Sequence, residues 1–176
     1  MGIFLIIGRL YTQKKITLKT MIKSISFMVA LALIFVVLLT NFHSVSLKNE
    51  SIRHLSINQK LSNHQAFKKD DRFSHKNEVV FSLKGNDDDL FVTVDQNDQI
   101  KSISNHSKQA NNQTSKGINI GDSVEDVVKT YGNQYKKLWF VEGYETGIQY
   151  QDKKNQLVLE FYFNDDQVYL IELRQR

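Results

Sequence analysis

Hydrophobic and polar residues do not alternate evenly along this chain. The first departure is an apolar run from Ile25 to Leu39, broken only by Ser26 and fading through Thr40, Asn41 and Phe42. A hydrocarbon layer about 30 Å thick needs roughly 20 apolar residues as helix, with about 17 as the practical minimum. Ile25–Phe42 reaches 18 if the polar residues within it are tolerated. The run follows Arg9, Lys14, Lys15, Lys19 and Lys23, with no acidic residue before it. The pattern predicts a cytoplasmic basic segment over 1–23, a single transmembrane anchor over 24–42, and an extracytoplasmic remainder by the positive-inside rule. The alternative is a cleaved signal giving a secreted protein. Only Ser44 and Ser46 offer a small pair near a cleavage point, because no alanine lies between Ala32 and Ala66, so the uncleaved anchor is favoured. Met21 offers a second start, which would make residues 1–20 an upstream extension.

Residues 43–77 are mostly polar and read as a stalk; Leu55, Ile57, Leu61 and Phe67 in it are spaced as one face of a short helix capped by Ser56 or Asn58. Over 78–104 the period changes to two. Val79, Phe81 and Leu83 alternate, as do Leu90, Val92 and Val94 beyond a Gly85–Asp89 turn, and a third strand carries Ile100 and Ile103. Residues 105–117 hold almost nothing apolar and read as a flexible linker. In 118–176, Asp122 and Glu125 have capping-box spacing before Val124, Val127, Val128 and Tyr131, and Gly132 stops the helix. Strands follow around Leu138–Val141, Gly147–Tyr150, Leu157–Phe163 and Val168–Leu173. The fold class expected is α+β: a short helix packed on an antiparallel meander. Asp98–Ile103 aligns with Asp166–Ile171 at an offset of 68, which raises the expectation of a tandem repeat, 78–104 being the first copy and 118–176 the second.

The stretch from Ile118 to Gly132, reading Ile-Asn-Ile-Gly-Asp-Ser-Val-Glu-Asp-Val-Val-Lys-Thr-Tyr-Gly, with the aromatic strands after it, resembles the repeat of the SmpA/OmlA lipoproteins. The same repeat occurs in the β-lactamase inhibitor protein and in small domains accompanying Gram-positive CAP-type proteins. The resemblance covers 118–173, and 55–103 more loosely. It implies a helix on a four-stranded antiparallel sheet, often in tandem, in a binding module of the cell envelope without catalytic residues. Asn133 stands where the family has proline, and the first copy lacks the Gly-Asp-Ser opening.

Composition narrows the chemistry. The 176 residues include no cysteine and no proline, which removes disulfides, thiolate nucleophiles and cysteine metal sites. An extracytoplasmic chain without cysteine suggests a bacterial envelope with little thiol oxidation. The net charge of +4 comes from the N-terminal segment: from His43 onward 18 basic residues face 19 acidic ones. A nucleic-acid surface needs a concentrated basic face, so nucleic acid is not an expected partner.

The five histidines lie in the stalk and linker regions without ligand spacing. Asp87–Asp89 with Asp95 and Asp98 could gather a hard cation, but no calcium loop with a closing glutamate is present, and turn geometry explains them more simply. Ser123 lacks a nucleophile elbow and a nearby base, so it reads as a helix-start hydrogen-bonding residue. No cofactor is expected. Trp139, Phe140, Tyr144, Tyr150, Tyr162 and Tyr169 are the richer signal, either as core or as recognition anchors. The candidate contact surface is the sheet face away from the helix, with Val158, Glu160, Tyr162 and Tyr169. The function expected is a non-catalytic, membrane-anchored binding or accessory protein that recognises an envelope protein or a cell-wall polymer. An envelope hydrolase with an unrecognised site, or a structural envelope component, is the alternative.

Overall fold

The structure, a computed structural model, describes residues 18–41, 44–62, 64–75, 77–85, 89–139 and 141–176. The chain divides into two units, Met1–Phe42 and His43–Arg176. The first contains helix α1 (Leu18–Asn41). Among the described residues no helix is long and apolar enough to cross a membrane. Lys19, Thr20, Lys23, Ser24 and Ser26 occupy its first turns and Thr40 and Asn41 its last. The unbroken apolar stretch is therefore Phe27–Leu39, about 20 Å of helix at 1.5 Å per residue, against a layer of about 30 Å. The expected single-pass anchor over 24–42 is corrected on this finding, and with it the orientation and the extracytoplasmic localisation built on it.

Among the described residues the second unit carries eight antiparallel strands: β1 (Phe67–Lys69), β2 (Val79–Leu83), β3 (Leu90–Val94), β4 (Ile100–Asn105), β5 (Lys136–Leu138), β6 (Thr146–Asp152), β7 (Leu157–Asn164) and β8 (Gln167–Gln175). They form one sheet in the order β1-β2-β3-β4-β8-β7-β6-β5. Helix α2 (Val124–Tyr131) lies between β4 and β5 in the chain.

The expected fold of one or two helix-plus-meander units is corrected to a single eight-stranded sheet. Among the described residues no α-helix accompanies β1–β4. The segments that align at an offset of 68 are instead sheet neighbours. Antiparallel β4 and β8 place Ser104 opposite Glu172, which stand 68 apart in the chain. Joined there, β4 and β8 each gain a neighbour, so two thin meanders share one continuous ladder and bury their inner strands.

Register fixes the two faces. Val92, Ile103, Leu173, Leu159 and Tyr150 stand in one cross-sheet row, and each is fully buried. Ile171, Phe161 and Ile148 continue the next row. The cluster they build also contains Val127 and Tyr131 of α2, Ile118 and Ile120 before it, and Leu47, Ile52 and Leu61.

Residues 44–62, expected as a stalk, are thus part of the packed unit. Leu47 N–H donates to the Asp152 carboxylate at 2.7 Å, Ser115 Oγ donates to Glu50 at 2.6 Å, and Asn58 N–H donates to Ile100 O at 2.8 Å. Arg53 and His54, both with positive φ, make the tight turn between Ile52 and Leu55. The helix expected around Leu55–Phe67 is replaced by turns, isolated bridges and a single 3-10 turn at His64–Ala66.

The expected linker 105–117 is likewise ordered. Asn105, Ser107, Asn112 and Thr114 are buried: Ser107 N–H donates to Asn105 Oδ1 and Ile118 N–H to Thr114 Oγ1, while Asn112 Oδ1 accepts from Arg53.

Helix α2 starts one residue later than expected. Ser123 Oγ accepts from Asp126 N–H at 3.1 Å, and Asp126 accepts from Ser123 N–H at 3.2 Å, completing a capping box. Asp122 instead accepts from Asn119 N–H at 2.7 Å, shaping the turn before the helix. Gly132, with φ of 87°, ends the helix and donates to Val128 O.

Candidate functional site

The rows that alternate with the core lie on the opposite face of the sheet. One contains Ser82, Phe91, Ser104, Glu172, Glu160 and Gln149; beside it run Thr93, Ser102, Arg174, Val158 and Gln151. Val158, Glu160 and Tyr162 belong to this face, as the alternation along β7 predicts. Their exposure does not follow the simple in-out rule. Val158 is 1% and Glu160 3% exposed, whereas Tyr162 is half-buried and Tyr169 is 55% exposed.

Glu160 is buried because it is fully partnered. Arg174 donates through Nε to Oε2 at 3.1 Å and through Nη2 to Oε1 at 3.2 Å. Tyr162 Oη donates to Oε2 at 3.2 Å, and Gln149 Nε2 donates to Oε1. Gln151 in turn donates to Gln149. A buried carboxylate is tolerated when a guanidinium and further donors surround it in this way.

Glu172 stands directly opposite Glu160 across β7 and β8, and among the described residues its carboxylate accepts no hydrogen bond. Burial raises the Glu172 carboxyl above its ordinary value, and the Glu160 charge adds to that rise while Arg174 opposes it.

Tyr169 reaches the face by a different route from the one its position in the sequence suggests. Tyr162 pairs with Leu170 and Phe163 with Val168, so Tyr169 is the extra residue of a β-bulge. Tyr144 connects the two tyrosines, its ring centroid 5.1 Å from that of Tyr162 and 6.0 Å from that of Tyr169. Its loop is held to the end of β7 by Glu145 N–H, which donates to Phe163 O and to Asn164 Oδ1. Gly147, paired with Tyr162, has a steric role: a Cβ there would lie 3.2 Å from both Phe161 O and Tyr162 Cδ1. Burial raises the Tyr144 hydroxyl, with Tyr169 and Glu172 contributing, and burial likewise raises Tyr162, with Glu160 and Glu172 contributing. Tyr144 and Tyr162 therefore lie close to Glu172.

Beyond Glu172 the face opens into a cleft of about 460 Å³, lined by Glu78, Thr93, Asp95, Lys101, Ser102, Glu172 and Arg174 among others. Lys101 pairs with Asp95 at 3.3 Å. A smaller hollow of about 190 Å³ lies beside Arg53 and His54, where Arg53 donates to Asn112 Oδ1 at 2.6 Å.

Trp139 is 66% exposed under Lys137, while Tyr150 is core. Phe140, Asp87, Asp88 and His43 lie outside the described residues. Among those described, no three His, Asp or Glu side chains gather as a metal site. His106 packs edge-on against Phe91, and burial lowers its imidazole, with Asp89 opposing. Ser123 is engaged in the helix cap, its Oγ donating to Asp126 Oδ2 at 2.6 Å.

No protein-family profile and no curated protein matches the chain. Among solved structures, the chain is similar to a crystal structure of a DUF4309 family protein (YjgB) from Bacillus subtilis. The match has 17% identity and a TM-score of 0.41, covering 69% of this chain and 82% of that one.

Proposed function

We propose that this chain is a non-catalytic binding protein whose contact surface is the sheet face turned away from α2. The observation that carries this reading is the run of Tyr144, Tyr162 and Tyr169 beside Glu172 on that face. Tyrosines offer large contact area for little lost side-chain entropy, and exposed aromatic clusters are recurrent anchors of recognition. The carboxylate pair supports binding over hydrolysis. Both Glu160 oxygens are occupied by donors, so only Glu172 of the two is free to meet a ligand. The partner is a protein. This agrees with the binding role implied by the resemblance of residues 118–132 to the SmpA/OmlA and β-lactamase inhibitor protein repeat.

The test is site-directed photo-crosslinking of the full chain in cells, with a benzophenone residue at position 169 or, as control, at Lys129 on the exposed side of α2. Adducts specific to position 169 are expected. Equal adducts at both positions, or adducts only at 129, would place the contact elsewhere.

A further inference from the structure

We propose, building on the binding role above, that the tyrosine end of this face receives a lysine side chain of the partner, its ammonium on Glu172 and its methylenes among Tyr144, Tyr162 and Tyr169. The charge balance points there first. Arg174, beside both carboxylates, places Nε and Nη2 on Glu160, and Arg176, which also lines the cleft, makes no ion pair with Glu172 among the described residues. Lys101, at the far side of the cleft, is taken by Asp95. Glu172 is left as a half-buried carboxylate with no hydrogen bond among the described residues, facing a second carboxylate. A charge in that position gains most from an added cation.

The rings supply the second element. Burial raises the hydroxyls of Tyr144 and Tyr162, so these rings stay neutral phenols at physiological pH. A neutral aromatic face attracts a cation through its quadrupole, and more so where water is partly excluded. The long apolar stem of lysine also suits contact with ring faces.

The shape selects among cations. A divalent metal wants several oxygens, and here one carboxylate is available. A guanidinium would set a second planar cation beside Arg174 for a single carboxylate, whereas a compact ammonium needs one oxygen and leaves the Glu160–Arg174 fork intact. The 460 Å³ cleft that begins at Glu172 and runs over Arg174, Ser102 and Thr93 leaves room for the neighbouring residues of an extended segment.

The experiment is an NMR titration of the full chain, labelled in its tyrosine rings, with three capped tripeptides: Gly-Lys-Gly, its Nε-acetyl form, and Gly-Arg-Gly. The lysine peptide should shift the rings of Tyr144, Tyr162 and Tyr169, and acetylation should weaken it by about tenfold, as expected when a charge-assisted contact is lost. Gly-Arg-Gly should bind more weakly than Gly-Lys-Gly. Glu172→Gln should lose about the same factor while melting no lower than wild type, which separates loss of the counter-ion from loss of the fold. Equal affinity of the acetylated peptide, or full affinity of Glu172→Gln, would overturn the ammonium assignment while leaving the aromatic contact face standing. Ring shifts absent with every peptide would overturn it too, and the crosslinking at position 169 then decides the binding role separately.

Discussion

Phe161→Ala is the sharpest test of how the sheet is held together. Phe161 is fully buried in β7, with its ring 5.4 Å from that of Tyr131 on α2 and 6.2 Å from that of Tyr150 on β6. Removing a buried phenylalanine ring costs about 3–5 kcal/mol, depending on how far the surroundings collapse into the space. Here collapse is restricted. Tyr150 Oη donates to Gly132 O at 2.8 Å, which ties that ring to the end of α2, and Tyr131 and Tyr150 already lie 5.3 Å apart. The cost should fall in the upper half of the range, about 4–5 kcal/mol, since aromatic contacts of roughly 0.5–1.5 kcal/mol each are lost with the ring. Domains are typically stable by only about 5–15 kcal/mol, so the variant should be close to unfolding. The melting temperature should drop by roughly 12–20 °C. Urea and thermal melts followed by circular dichroism would measure it, with the exposed Tyr169→Ala as a control expected to change stability by less than about 0.5 kcal/mol. A Phe161→Ala cost below about 1 kcal/mol, or one equal to that of Tyr169→Ala, would refute the assigned packing of β7 against α2.

Two further outcomes follow from particular contacts. Ser123→Ala should destabilise by about 1 kcal/mol, because two backbone amides at the start of α2 lose their capping geometry; in urea melts, Glu125→Ala should do much less. Glu172→Gln should raise the melting temperature at neutral pH. A carboxyl raised in the folded state favours folding below its unfolded value and loses that contribution as pH rises through the folded one. The gap to wild type should therefore close below about pH 4, where the carboxyl is protonated in both states; a gap independent of pH would mean that charge is not its cause.

The alternating strands were legible because period two survives wherever one face is core, as at Val92, Ile103, Leu159 and Leu173. Helix α2 was legible too, though Asp122-x-x-Glu125 and Ser123-x-x-Asp126 both carry capping spacing and only the fold chooses between them. Residues 44–62 were not. Leu47, Ile52 and Leu61 share no period, being placed one at a time by turns and by hydrogen bonds to residues about 40 to 105 positions away in the chain. Polarity misled at 105–117, where Asn105 and Thr114 are buried as backbone partners instead of solvated.

At the candidate site, parity along β7 located Val158, Glu160 and Tyr162. It could not show that Arg174 and Gln149 would bury Glu160, because cross-strand partners depend on register. Tyr144 sits in a loop with no periodic signal, and its ring contact with Tyr169 involves the extra residue of a bulge. The apolar run near the N-terminus was over-read as a span, since its polar first turns shorten it.

The most direct measurement of the binding role is a quantitative crosslinking pull-down from cell extract, using the full chain and the double variant Tyr162→Ser with Tyr169→Ser. Each tyrosine in such a face can contribute about 2 kcal/mol to an interface, so the double variant should lose the captured partners by well over tenfold while melting within a few degrees of wild type. Partner sets of equal composition and yield from the two folded proteins would contradict the claim that this face is the contact surface.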